Sequence, residues 1–274
     1  MSNILIENKL DIAIQDIVKQ AGAILRSACL SVSEIHKKEG IANFCTDYDL
    51  QIQRFLMDRL SAILPNCNFY GEEDIDGNRE HTKSPYTFII DPIDGTTNFM
   101  FDYHHSCVSV GLTFEGRIIA GYVYNPYVDE MYHAVRGHGA WLNDRKLNVN
   151  DTSVAQGIVA FGCARYNDAD TDLLFDVTKE MFLRSLSVRN GGSAALDLCR
   201  IASGNNAAYY ELKLQPYDYA AASVIIEEAG GYISRVDGSQ ITLDAPCSIV
   251  GGTNSAWQEV RKAILKAGFT ENKR

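Results

Sequence analysis

Residues 86–99 read YTFIIDPIDGTTNF, an apolar run closed by two aspartates, a proline and a glycine. Aromatic and β-branched residues dominate the first five positions, which predicts a buried strand. Asp91 and Asp94 at the end of such a strand meet a large desolvation cost unless something cationic meets them. Pro92 lacks an amide donor and has a fixed φ, so strand pairing is predicted to end there and the chain to turn until the two acids converge. The Ile93 carbonyl can join them, because hard cations take backbone oxygen readily. Gly95 lets the backbone approach a ligand, and the amides of Gly95, Thr96 and Thr97 can form an anion-binding nest or a helix start. A bare DxxDG also fits an Asx-type turn with solvated acids. The nine-residue string 91–99 is far more specific.

Upstream, apolar residues recur at 10, 14, 17, 18, 21, 24, 25 and 28, the period of an amphipathic helix. A second helix is predicted to start at Thr46 or Asp47, either of which can cap it, and to stop at Pro65. Downstream the period changes. Residues 107–114, 117–124 and 130–135 are β-rich, and Glu115-Gly116 between the first two predicts a tight hairpin. After Asn150, strands at GIVAF, SLSVR, NAAYY and CSIVGG alternate with helices at about 170–184, 193–203, 218–229 and 254–267. Interleaved elements with hairpins exclude a purely parallel sheet and predict stacked helix and sheet layers. No repeat or Pro/Ser-rich linker divides the chain, so 1–274 reads as one domain with tightly packed halves, about 1–145 and 146–274.

With 274 residues and 46% hydrophobic residues, the chain can bury a large core. It has no signal-peptide run and no apolar stretch of membrane-spanning length, which predicts a cytoplasmic protein without a membrane partner. A net charge of −10 argues against nucleic acid as a partner. It leaves room for an anionic substrate, since divalent cations reverse the local sign. The seven cysteines are dispersed, odd in number and without CxxC spacing, so they predict neither a disulfide framework nor a zinc cluster.

Two further acidic features accompany Asp91 and Asp94. FYGEEDID at 69–76 reads alone as a solvated acidic loop; beside the two aspartates, Glu72 becomes a third candidate ligand and Glu73 a supporting group or another ligand. QPYDYA at 215–220 puts Asp218 at the start of an alanine-rich helix, as a cap or as a ligand. Carboxylates and one carbonyl, without His or Cys, select magnesium or manganese over zinc. His104-His105 lacks ligand spacing, and no GxSxG elbow or GxxxxGK loop is present.

GEE at 71–73, DPIDGTTNF at 91–99 and Asp218 before its helix closely resemble the inositol monophosphatase family. Lys38 with NFCTDYD at 43–49, GGSAALDLCRIASG at 191–204 and Glu211 seven residues before Asp218 extend the likeness over nearly the whole chain. The resemblance implies an α+β fold layered α-β-α-β-α with mixed and antiparallel sheets. It implies a homodimeric, lithium-sensitive hydrolase that uses two or three Mg2+ ions, for which Mn2+ can substitute. Glu72, Asp91, the Ile93 carbonyl, Asp94 and Asp218 match the metal ligands. Thr96 matches the threonine that orients the attacking water, with Glu72 and Asp49 nearby, while Lys38 and Glu73 stand behind the ligands. Ile93, Asp94, Gly95, Thr96, Gly192, Ser193, Ala194, Glu211 and Asp218 match substrate contacts. Tyr217 stands where the family usually has Trp, Gln215-Pro216 replaces the usual residues after the substrate acid, and MFDYHHS at 100–106 replaces a segment that commonly contains proline.

The implied reaction is hydrolysis of a small phosphate monoester, an inositol monophosphate or similar polyol phosphate, by metal-activated water. Histidinol-phosphate, fructose bisphosphate and 3′-phosphonucleotide phosphatases share the superfamily. A non-catalytic regulatory protein on the same fold would be expected to have lost a ligand, and none is lost here.

Overall fold

A computed structural model of the chain describes residues 9–28, 35–37, 44–73, 75, 84–163 and 170–271. The predicted N-terminal helices form as Leu10–Ser27 (α1) and Asp47–Ile63 (α2). Thr46 is the cap of α2: its amide and hydroxyl donate to Asp49 Oδ2 at 2.7 and 2.6 Å, which ties the chain entering the helix to its first turn. Just before it, Ile35–Lys37 (β1) and Phe44–Thr46 (β2) pair antiparallel. Ile14, Val18 and Leu25 of α1 and Ile52, Leu56 and Leu60 of α2 are buried in one cluster with Phe88, Ile90, Val108 and Val110 of the first sheet. Burial of each such side chain contributes about 1.5–3 kcal/mol.

That sheet runs in sequence order through Asn68–Gly71 (β3), Tyr86–Asp94 (β4), Cys107–Phe114 (β5), Arg117–Asn125 (β6), Glu130–Val135 (β7), Ala140–Leu142 (β8) and Arg145–Lys146 (β9). β3 is parallel to β4, and the other pairs are antiparallel. Glu115 and Gly116 both have positive φ, 49° and 74°, as a two-residue hairpin with the strand's own twist requires. One expectation is corrected here. Pairing does not end at Pro92: β4 continues to Asp94, with Asp91 opposite Ser109 and Asp94 opposite Cys107. Three steps on β4 answer two on β5, so Pro92-Ile93 forms a bulge that absorbs the missing amide while the ladder resumes beyond it. The short helix Thr96–Met100 (α3) follows.

The second sheet is mixed. Ile158–Phe161 (β10), Ser187–Arg189 (β11), Ala208–Leu214 (β12), Tyr232–Ser234 (β13) and Cys247–Gly252 (β14) lie in the order β11-β10-β12-β14-β13. Thr171–Arg184 (α4) and Asn254–Lys266 (α7) cover one face, where Leu174, Met181, Val260 and Ile264 meet Val159, Tyr210 and Val250. Ala194–Ala202 (α5) and Pro216–Glu228 (α6) fill the space between the sheets, joining Ile89 and Val123 of the first to Tyr209 and Ile249 of the second. The layers are therefore α-β-α-β-α. The described α6 starts two residues before the predicted Asp218, because Pro216 suits the first helical position, where no amide is needed. It is apolar on nearly every side, as a helix clasped by two sheets must be. Among the described residues, no helix is long and apolar enough to cross a membrane.

Candidate active site

The β4 bulge aims Asp91 and Asp94 at the start of α6, where Asp218 is the third helical residue. Ligand oxygens of Asp91, Asp94 and Asp218 lie within 4.8 Å of one another. Each acid also has a structural bond. The Ile93 amide donates to Asp91 Oδ1 at 3.0 Å, and the Gln215 amide to Asp218 Oδ2 at 2.8 Å. Asp94 is held by the first turn of α5: the Ser193 hydroxyl and the Ala195 amide donate to Oδ2 at 2.5 and 2.8 Å, and the Ala194 amide to Oδ1 at 3.3 Å. A residue of the first sheet is thus fixed by a helix of the second half. Asp218, read from sequence as cap or ligand, makes the cap's bond to the Gln215 amide and stands beside Asp91 and Asp94.

Burial, followed by repulsion from Glu72, Asp94, Asp218 and Asp49, drives the Asp91 carboxyl well above its usual range. Asp218 is driven up in the same way, by burial and then by Asp94 and Glu72. Asp94 is raised by burial and eased by the donors from Ser193, Ala195 and Ala194. Such a group ionises fully only with positive countercharge beside it.

A second acidic triad adjoins the first: Asp49, Glu72 and Glu73 also place ligand oxygens within 4.8 Å of one another. The Glu72 amide donates to Ile90 at 3.0 Å, so parallel pairing of β3 with β4 carries Glu72 to the same sheet end as Asp91. Gln53, one turn after Asp49 in α2, grips the Glu73 backbone, its Nε2 donating to the carbonyl at 2.7 Å and its Oε1 accepting from the amide at 3.0 Å. Glu73, a supporting group or ligand by sequence, stands level with Asp49 and Glu72. Lys38 lies outside the described residues. Both triads offer only oxygen, and that donor set suits a hard divalent cation.

Between the triads and β12 opens a cavity of about 220 Å3. Glu72, Asp94, Gly95, Thr96, Gly192, Ser193, Ala194, Glu211 and Asp218 line it, together with Thr97, Gly162, Cys163, Asn190, Asp197, Tyr209 and Leu214. Lys, Arg and His are absent from these described lining residues. Asp91, Asp49 and Ile93 are not among the lining residues. Gly95 has φ 91°, a conformation that favours glycine, and it opens α3. The Thr96 hydroxyl donates to the Ile93 carbonyl at 3.1 Å, so its oxygen can still accept. Ser193, read from sequence as a substrate contact, is buried with its hydroxyl committed to Asp94.

Several contacts that shape the site are not foretold by any motif. Asn98 Nδ2 donates to the carbonyls of His105 and Gly191 at 2.7 and 2.8 Å, tying the α3 loop to the Gly191-Gly192 turn. Asp197 accepts from the Gly191 amide at 3.0 Å, and burial lifts its carboxyl to about 7. His105, 4.0 Å from Asp197, is lowered to about 4 by burial and by Arg200. The Tyr209 hydroxyl donates to Glu211 at 2.5 Å. The one sequence signal for that pair is their spacing of two along a strand.

Fold and site together define a layered α+β protein with two oxygen-only acidic triads beside a small polar cavity. The family model for the inositol monophosphatase family matches residues 7–267, and the chain belongs to that family. It is 34% identical to inositol monophosphatase 3 of Solanum lycopersicum over 96% of this chain and 97% of that protein. It is 30% identical to inositol-1-monophosphatase of Bacillus subtilis, over 91% and 94%. Among solved structures, extragenic suppressor protein suhB of Bartonella henselae superposes with TM-score 0.86 at 27% identity, covering 95% of this chain and all (100%) of that one. SaIMPase-II with inositol monophosphate bound superposes with TM-score 0.76 at 30% identity, covering 94% of each.

Proposed function

We propose that this chain hydrolyses a small polyol monophosphate, an inositol monophosphate or a close analogue, with two or three Mg2+ ions, replaceable by Mn2+ and subject to lithium inhibition. The observation that carries it is the pair of adjoining, largely buried carboxylate triads, of which Glu72, Asp94 and Asp218 line one polar cavity. Inositol monophosphate in the SaIMPase-II structure supports the choice of substrate. Fructose bisphosphate is disfavoured, because the described lining offers no cationic side chain for a second phosphate while Glu211 repels one.

Glu72, Asp91, the Ile93 carbonyl, Asp94 and Asp218 would hold the ions. Asp49 and Glu73 complete the second triad. When bound, magnesium supplies positive charge that acidifies water and stabilises the phosphoryl and leaving-group oxygens. The Thr96 hydroxyl, which donates its hydrogen bond to the Ile93 carbonyl, accepts from the attacking water, and Glu72 orients that water and receives its proton. Gly95 and Thr96 amides, at the start of α3, hold the phosphate oxygens. The attack is in line on phosphorus, with no covalent intermediate, so positioning and charge carry the rate. Glu211 accepts from a hydroxyl of the leaving alcohol, and Gly192 and Ala194 shape the pocket for it.

The halves 1–145 and 146–274 act as one domain, a view supported by the packing of α6 against both sheets. Exposed Phe182, Leu183 and Leu186 offer an apolar surface that a second copy can cover in a homodimer. The test of function is a panel of inositol monophosphate, a sugar bisphosphate and a 3′-phosphonucleotide, assayed with magnesium, lithium and chelator. Phosphate release from the monophosphate that magnesium restores after chelation is the expected result. Undiminished turnover in excess chelator, or preference for the bisphosphate, overturns it.

A further inference from the structure

Tyr209 is almost wholly buried, yet it lines the cavity, and its hydroxyl is bonded to another lining residue, Glu211. Tyr209 and Glu211 lie two apart on β12, so the pleat sends both to the face that looks towards α5 and α6. There the phenol donates to Glu211 Oε2 at 2.5 Å. From the other side comes Gly162, whose amide is fixed to the Tyr210 carbonyl at 3.0 Å. A Cβ on Gly162 would lie 1.9 Å from Glu211 Oε2 and 2.4 Å from the Tyr209 hydroxyl. Only a residue without a side chain leaves room for this hydrogen bond.

We propose that Tyr209 is a positioning residue for substrate selection: its hydroxyl, with the bare backbone of Gly162 behind it, holds the Glu211 carboxylate ready to accept a hydroxyl of the leaving alcohol. The ligand class it serves is the monophosphate of a polyhydroxylated alcohol. The proposal rests on the assignment of Glu211 as the acceptor for that alcohol. A glutamate has three rotatable bonds, and unheld it would have to be ordered by each arriving substrate; held in advance, it gives that ordering cost back as affinity. The phenol fits the task because it donates in a fixed direction from a ring locked in the core. Esters without hydroxyls gain nothing from it.

The experiment compares wild type, Tyr209→Phe, Gly162→Ala, Glu211→Gln and the double variant Tyr209→Phe/Glu211→Gln on inositol monophosphate and on p-nitrophenyl phosphate. Tyr209→Phe keeps the buried ring and deletes only the donor. Its kcat/KM on inositol monophosphate should fall about 10-fold, the scale of one hydrogen bond to a charged group, mainly through KM, while p-nitrophenyl phosphate turnover stays within about twofold. Gly162→Ala, which displaces the carboxylate from the opposite side, should show the same selectivity loss; it decides the matter if the phenylalanine variant does not fold. The double variant should be no worse than Glu211→Gln alone, because the tyrosine acts only through that acid. Equal losses on both substrates, or losses that add in the double variant, overturn the proposal and make Tyr209 a packing residue. A selective loss in Glu211→Gln with none in Tyr209→Phe also overturns it, leaving the assignment of Glu211 standing. No selective loss in Glu211→Gln overturns both.

Discussion

On the cavity side built by β4, β3, α2 and the start of α6, six acids crowd together, and the carboxyls of Asp91 and Asp218 are driven far above their usual range by burial and by repulsion from neighbouring acids. On the side built by β12 and β10, Glu211 meets a neutral phenol and a bare glycine backbone, and the hydrogen bond is complete without any ligand. The first wall is an electrostatic debt that only added positive charge relieves; the second adds the Glu211 charge to the repulsion on Asp218, but its own carboxylate is held by a neutral donor. Their responses should differ accordingly. The acidic wall should answer to cations in both stability and rate, and the β12 wall to the alcohol alone.

Asp91→Asn breaks that contrast most severely. The amide keeps an oxygen to accept from the Ile93 amide but removes a charge from the acidic wall. Turnover should fall by at least about 100-fold, beyond the usual 10–100-fold effect of residues that merely support ligands. In chelator the variant should melt above wild type, because one buried like charge has gone, and magnesium should raise its Tm less. Equal melting temperatures in chelator would show that the triad is not under the strain described.

Thr96→Ala sharpens the same contrast within the reacting centre. Its hydroxyl donates to Ile93 and is placed to accept from water, a contact felt in the transition state more than in binding. Steady-state kinetics should show kcat lowered about 10–100-fold with KM within about twofold. A rise confined to KM would assign the threonine to binding.

Most of the acidic clustering was legible in the sequence, because the acids sit in short strings, GEE and DPIDG, at the ends of apolar runs. The bulge at Pro92-Ile93 was not, since proline rules out an amide bond but does not say whether the partner strand resumes beyond it. Asp49 and Asp218 each serve a helix terminus as well as the site, and a cap and a ligand look alike in sequence. The polar ties of the far wall were the least visible. Ser193 to Asp94, Asn98 to Gly191 and Gly162 to Tyr210 join residues about 50 to 100 positions apart, and no local period reports a contact that the layering of two sheets creates.

The smallest effect lies where the two walls meet, at Asp197 and His105. Asp197 has its carboxyl raised from 3.8 to about 7 by burial, against the easing of the Gly191 amide and Arg200. A raised acid holds a proton in the folded state that the unfolded chain has lost, so its contribution to stability is full below about 4 and disappears as pH rises through about 7. His105 runs the other way. Its ring is lowered from 6.5 to about 4 by burial and Arg200, so its contribution is present above about 6.5 and lost as pH falls through about 4. Over the shared window the two slopes oppose each other and largely cancel. Asp197→Asn removes the falling one while its side-chain carbonyl can still accept from the Gly191 amide. Urea midpoints measured at pH 5 and pH 7.5 should therefore rise with pH more steeply in the variant than in wild type, and the variant should gain on wild type towards neutrality. The remaining titrating groups are shared by both proteins and drop out of the difference. Parallel midpoints across that range would mean that Asp197 is ionised in the folded protein throughout, with Arg200 and the Gly191 amide outweighing its burial.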